Sequence, residues 1–233
     1  MQKNLLVVIP ARAKSKSIKN KNIIKINKNV LIEYTFINAK QIKEKSKIIH
    51  CTTDSIKIQK IAKKYNINAL PLRPGKFSGD LSRDLEFVNH TLKIYKKKKI
   101  FFNYGLILRP TNPIRKLSSL NTSFSKFKNN KLADSMKSIF PSRKTPYKTW
   151  VKKGKYIKPV ILFSSINESY NAPRQLLPKT YDQTGTYEYF KINYKSKIES
   201  ISGKKIMYFD VSKEESLDID NLNDIKVLKK LKS

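Results

Sequence analysis

The chain of 233 residues lacks most of the residues that would announce a chemistry. It has one cysteine, Cys51, so it cannot carry an internal disulfide framework, and a reducing, cytoplasmic setting is expected. Two histidines, His50 and His90, together with that single thiol argue against a zinc centre. Six glycines form neither a P-loop nor a GxGxxG fingerprint, which argues against a P-loop kinase and a dinucleotide oxidoreductase of the usual kind. No run approaches the ~18 apolar residues of a membrane helix, so no membrane span is expected. The opening run Leu5-Leu6-Val7-Val8-Ile9 is too brief for a signal peptide and reads as a buried strand ended by Pro10. Acidic residues are also scarce, 17 against 50 basic, for a net charge of +33.

What is present fits one globular domain. Apolar residues make up 39% of the chain, enough to build a core. The positive charge suits a nucleic-acid or anionic partner, but lysine dominates it and is scattered along the whole chain. Compositional bias toward Lys, Asn and Ile explains the same numbers, so specific nucleic-acid binding is not expected. Against that background arginine is informative, because its planar fork binds phosphate or carboxylate in ways an ammonium does not. Arg73, Arg109, Arg115 and Arg174 sit beside or near prolines, and Arg12 follows Ile9-Pro10-Ala11. Six of the 17 acids fall between Asp210 and Asp224, a concentration that invites a divalent cation.

Strand and helix patterns alternate along the chain. Strands are predicted at 5–9, 47–52, 69–72, 104–108, 135–140, 187–193 and 205–211. Helices are predicted at 30–40, 54–65, 80–97, 117–127 and 222–231. Such alternation predicts a mostly parallel α/β sheet flanked by helices. Between Pro141 and about residue 190 the pattern breaks into an excursion with a strand pair, read as a dimer arm and a sugar-site segment of a single domain spanning 1–233. Lys96–Lys99 reads as a solvated helix end.

Two constellations carry chemistry. Arg12, Ser15, Lys16, Lys21 and Asn22 lie in a basic loop directly after the first strand, at the sheet edge where α/β proteins bind ligands. Its cations and backbone N–H groups suit a triphosphate, although an ordinary lysine-rich loop would read alike. Near the other end, Asp218 and Asp220 stand two apart on an extended segment, so their carboxylates face one way and suit Mg²⁺. The competing assignment is that Asp220 or Asn221 caps the last helix with Asp224 in its first turn. Asp54 reads as a helix cap and Cys51 as a small core residue.

These residues, taken together, resemble the acylneuraminate cytidylyltransferase family. Ile9 to Asn22 is similar to its IPARxxSKxxxxKN signature, and Thr52-Thr53-Asp54 to its strand end. Arg73-Pro74 with Gly79-Asp80, Pro110-Thr111-Asn112-Pro113-Ile114-Arg115, Arg174-Gln175 with Pro178, and Asp218-Ile219-Asp220 with Asp224 follow the family's order over nearly the whole chain. The resemblance implies a nucleotidyltransferase (Rossmann-like) α/β fold, usually homodimeric, that transfers CMP from CTP to an acidic nine-carbon sugar with Mg²⁺. It implies that Arg12, Lys16 and Lys21 hold the triphosphate. Ser15, Asn22, Arg73, Gly79, Arg109 and Thr111 fall on the nucleotide side; Arg174, Gln175, Gln183 and Gly185 fall on the sugar side. Asp218 and Asp220 would bind the metal, with Asp220 close to the chemistry. The chain departs from the family pattern in its glycine-free phosphate loop, in Arg109 where a glutamine is usual, and in Asp182 where many members carry a base. The same chemistry on another acidic sugar such as Kdo, and a worn scaffold that merely binds polyanions, remain the alternatives.

Overall fold

The computed structural model describes residues 1–193 and 197–231. In chain order its elements are β1 (Gln2–Pro10), β2 (Lys25–Ile26), β3 (Asn29–Val30), α1 (Leu31–Lys40), β4 (Lys47–Thr52), α2 (Ile56–Lys64) and α3 (Asp84–Lys97). They continue with β5 (Phe101–Ile107), α4 (Leu117–Asn129), β6 (Ser135–Pro141), β7 (Trp150–Lys153), β8 (Tyr156–Pro159), β9 (Tyr181–Lys191), β10 (Ile206–Asp210) and α5 (Leu222–Leu231).

The main sheet has six strands in the order β10-β6-β9-β5-β1-β4. β1 runs parallel to β4 and β5, and β10 parallel to β6, while β9 is antiparallel to both its neighbours. The five parallel strands therefore end along one edge, and β9 begins there. That carboxyl edge is where the loops after Pro10, Thr52, Ile107, Pro141 and Asp210 converge.

The unbroken apolar run of β1 follows from burial on both faces, since helices cover each side of a parallel sheet. Leu5, Val7 and Ile9 pack with Phe36 of α1, Ile58 and Ala62 of α2 and Phe127 of α4. Leu6 and Val8 point the other way, onto Phe87, Val88 and Tyr95 of α3. A third cluster seats α5 through Ile225 and Leu228 on Ile18, Ile26 and Ile219, which brings the C-terminal helix to the loop after β1.

The sequence pattern predicts a strand at 69–72 that the structure does not form. Leu70 is exposed there and Pro71 has no N–H to donate, so pairing stops at the single bridge between His50 and Asn68. α3 begins at Asp84 rather than Asp80: Arg83 is extended and its N–H is capped by Glu86, while Asp80 pairs with two cations of the β1 loop. The predicted strand pair in the excursion is the exposed β7–β8 hairpin.

Candidate active site

The loop after β1 is anchored at several points. Ala11 N–H donates to Thr52 O at 3.0 Å and Ala13 N–H to Asp54 Oδ1 at 2.6 Å. Asn22 Nδ2 donates back to Arg12 O at 3.1 Å, closing the loop on itself. Asp54 is thus a loop clamp rather than the expected cap, a role that Ser55 takes by accepting from Ile58 N–H. Asn20 adopts the left-handed conformation at φ 56°, so an asparagine meets this turn's demand in a loop without glycine.

Arg73 enters the same space from the segment after α2, its N–H bonded to Thr53 O at 2.7 Å. Its guanidinium is buried beside the Phe87 ring at 5.8 Å, and its Nε has no hydrogen-bond partner. Burial disfavours that charge and pulls its pKa down. A buried, under-satisfied guanidinium at a cleft is an open position for an anion.

The acidic segment comes from the far end of the chain. Ile219 N–H donates to Thr111 O at 2.8 Å and Asn112 Nδ2 to Leu217 O at 3.2 Å, so the 109–115 loop holds it. Asn221 accepts from Asn223 N–H, and Asp224 Oδ2 accepts from the N–H groups of Asp220 and Asn221, both at 2.8 Å. Capping therefore falls to Asn221 and Asp224, which leaves the Asp220 carboxylate free to face Lys21. The nearly buried Lys21 ammonium donates to Ile219 O at 2.6 Å and to Asp220 Oδ1 at 3.2 Å. Asp218 is exposed, although protein atoms crowd its carboxyl. Desolvation, helped by Asp220, raises its pKa, while the Thr111 hydroxyl and Lys21 work against the rise. A cation between the two aspartates would relieve that strain. Among the described residues no group of three or more His, Cys, Asp or Glu forms a closed metal cage. Two carboxylates with other positions left to phosphate oxygens and water is the donor set that suits Mg²⁺.

Glu215 is a positioning residue that sequence reasoning did not single out. Its buried carboxylate accepts from Lys116 N–H, the Ser119 hydroxyl and the Tyr187 hydroxyl at 3.0, 3.2 and 2.7 Å. It pins the acidic segment to the start of α4, and only its place in the acidic cluster hinted at this.

The arginines divide by partner. Arg109 donates from Nε to Glu188 Oε1 at 2.7 Å and from its other nitrogens to Asp84, so its fork is spent on carboxylates. Burial opposes its charge, but Glu188 and Asp84 together hold the guanidinium firmly protonated. Glu188 is itself nearly inaccessible and also accepts from Lys137 at 2.9 Å and Gln183 at 3.1 Å. Arg115 is buried among neutral oxygens: Thr186 O at 3.0 Å, the Thr35 hydroxyl at 3.2 Å and Arg109 O at 2.9 Å. Desolvation pulls its pKa down to about 10, and its work is to hold the 109–115 loop against α1 and β9.

The outcome is a cleft of about 290 Å³ at the carboxyl edge. Arg12, Ser15, Lys21, Asn22, Arg73, Gly79, Arg109 and Thr111 all line it, and Lys16 reaches it through Asp80. The residues predicted for the sugar side do not line it. Gln183 is held by Glu188, and Gly185 packs on Arg109 and Asn112. Arg174 and Gln175 lie on an exposed single turn, where Arg174 donates to Arg143 O at 3.3 Å. A larger hollow of about 800 Å³ along α3 joins an apolar floor to a lysine rim that includes Glu86.

A mostly parallel sheet with a cationic cleft at its carboxyl edge, whose Lys21 bonds Asp220, is the form of a nucleotidyltransferase-fold protein. A family model described as Cytidylyltransferase matches residues 6–191, and the chain belongs to that family. It is similar to a post-translational flagellin modification protein B of Campylobacter coli, 30% identical over 96% of this chain and 93% of that one. It is also similar to a CMP-N,N'-diacetyllegionaminic acid synthase of Campylobacter jejuni, 29% identical over 96% of this chain and 93% of that one. In fold it is similar to a CMP:2-keto-3-deoxy-manno-octonic acid synthetase complexed with CTP, at a TM-score of 0.68 and 13% identity over 98% of both chains. Asp218 and Asp220 lie beyond the stretch the family model matches, but inside the 96% of the chain that both relatives cover.

Proposed function

We propose that this protein transfers the cytidylyl group of CTP to the anomeric hydroxyl of a nonulosonic acid, releasing pyrophosphate. The observation that carries the reading is a cleft lined by Arg12, Lys21 and Arg73, where Lys21 at its edge bonds Asp220 and lining residue Thr111 neighbours Asp218. Its family and its full-length likeness to a CMP-legionaminic acid synthase support the substrate class. The sugar hydroxyl attacks the α-phosphorus and gives up its proton to solvent, a new P–O bond forms, and the bond to the leaving pyrophosphate breaks. Arg12, Lys16 and Lys21 neutralise the triphosphate, so charge moving onto pyrophosphate meets cations already in place. Arg73 and Asn22 orient the nucleotide. Asp218 and Asp220 would hold Mg²⁺, which supplies further charge neutralisation at the phosphate oxygens. Arg174, Gln175, Gln183 and Gly185 belong to the side from which the sugar arrives, where residues 141–181 leave and rejoin the sheet edge. Asp182, exposed and accepting from the Ser142 hydroxyl at 2.7 Å, gives a sugar carboxylate no cation at that position. We extend the proposal to a homodimer joined through the β7–β8 arm, working in the cytoplasm. Among the described residues no helix is long and apolar enough to cross a membrane.

The test is pyrophosphate release from CTP and Mg²⁺ across a panel of N-acetylneuraminate, legionaminate, pseudaminate and Kdo. Release is expected with a nonulosonic acid, falling about 100-fold or more in Asp218→Ala and Asp220→Ala. Silence across the panel together with no CTP binding would sink the reading.

A further inference from the structure

We propose that Asp80 is a built-in phosphate mimic, holding the seat between Arg12 and Lys16 that a polyphosphate takes on entering the cleft. That this ligand is the triphosphate of CTP rests on the function proposed above; the seat itself rests on geometry. Asp80 Oδ1 accepts from Arg12 Nη1 at 2.7 Å, and Oδ2 lies 2.9 Å from Lys16 Nζ. One planar anion thus bridges the two loop cations with one oxygen each, as two oxygens of a phosphate would. Without it, two cations would face each other across a cleft that Arg73 and Lys21 already make positive.

The segment carrying Asp80 is built to let go. Among the described residues, the other hydrogen bonds of 75–83 stay inside the segment or run to its neighbours. Phe77 N–H and the Ser78 hydroxyl donate to Pro74 O, Ser82 N–H to Gly79 O, and Arg83 N–H to Glu86. Besides Asp80, the Phe77 ring ties the segment to α3 by packing on the His90 ring. Asp80, Arg12 and Lys16 all keep solvent contact, so their ion pairs are exchangeable.

Two consequences follow for ligand exchange. A ligand must bring enough negative charge to replace a carboxylate already seated on two cations, so a diphosphate or triphosphate enters where a monoanion does not. After transfer, the returning carboxylate competes with pyrophosphate for the same cations and hastens its release. Asp80 is then a positioning residue and not a catalytic one.

The experiment is calorimetric titration of the wild type, Asp80→Asn and Asp80→Ala with inorganic pyrophosphate and, separately, with CTP, both in Mg²⁺. The exposed position lets both variants fold, and thermal melts check this. Pyrophosphate is expected to bind both variants roughly three- to tenfold more tightly, as loss of a weak exposed ion-pair competitor implies. Product inhibition should deepen in step. Unchanged or weaker pyrophosphate binding in the variants overturns the proposal, as does absence of pyrophosphate binding in all three proteins. Tighter pyrophosphate binding in the variants with no CTP binding in any protein leaves the mimic standing and removes the cytidylyl reading. CTP binding that Asp80→Asn leaves untouched, with pyrophosphate also unchanged, does the reverse.

Discussion

At the scale of single residues, burial sorts the polar groups into those that hold the frame and those left for ligands. His50 belongs to the frame. It is 1% exposed, its Nδ1 lies 3.2 Å from the Tyr95 hydroxyl, and its Nε2 has no partner. Desolvation, then the charges of His90 and Lys98, push its pKa from 6.5 down to about 4. The folded state therefore favours neutral His50, so its stability contribution is whole above pH ~6.5 and is lost as pH falls toward ~4. The loss should reach about 2 kcal/mol by pH ~5. Urea unfolding at pH 7 and pH 5 should show a smaller acid loss for His50→Gln than for the wild type. Equal losses would mean that His50 does not titrate on unfolding. Cys51, whose thiol burial pushes up to about 12, is inert in the same way, as its core reading expects. The rarity of arginine in the sequence does not tell one arginine's surroundings from another's. Arg73 and Arg115 stand in similar proline-punctuated contexts, yet one keeps an unpaired nitrogen at the cleft and the other is consumed by neutral oxygens.

At the scale of elements, the site depends on how the 109–115 loop meets β9. Gly185 stands there at φ +69°, and an added Cβ would lie 3.1 Å from both Arg109 Cδ and Asn112 Oδ1. Gly185→Ala should cost about 2 kcal/mol, roughly the left-handed penalty plus the crowding. Because Asn112 holds Leu217 O, the same change should displace Asp218 and weaken Mg²⁺-dependent CTP binding. Gly75→Ala is the control, since nothing lies within 4 Å of a Cβ at that position. Equal stability and equal CTP affinity in the two variants would show that the junction is slack. The strands and helices of this frame were legible wherever an apolar run is buried on both faces, as in β1, or a helix has one apolar side, as in α3. The false strand at 69–72 looked apolar, but Leu70 faces solvent, and local pattern does not reveal exposure. That Arg12, Lys21, Asn22, Arg109 and Thr111 would share one edge was legible because they sit in loops directly after β1 and β5, whereas Arg73 and Gly79 reach the same cleft from the segment after α2. Glu215 was not, since its partners lie on α4 and β9, far away in the chain.

At the scale of the whole molecule, a net charge of +33 and an exposed apolar arm pull in opposite directions. The β7–β8 hairpin and the segment leaving it expose Val151, Tyr156, Ile157, Val160, Ile161 and Leu162, while the central strand β1 is covered by helices on both faces. Apolar surface gathered on one projecting hairpin fits burial against a second copy. Two copies of so basic a chain also repel, and salt screens that repulsion. The homodimer proposed here should therefore tighten as salt rises. Association bridged by contaminating nucleic acid should instead fall apart, since counterion release weakens it steeply. Sedimentation of nuclease-treated protein across a salt series separates the two by sign. Ile157→Glu, on a fully solvated strand, should leave the fold intact and shift the population toward monomer at every salt concentration. A dimer that weakens with salt and ignores Ile157→Glu would place the contact elsewhere and return the charge to a role in holding polyanions.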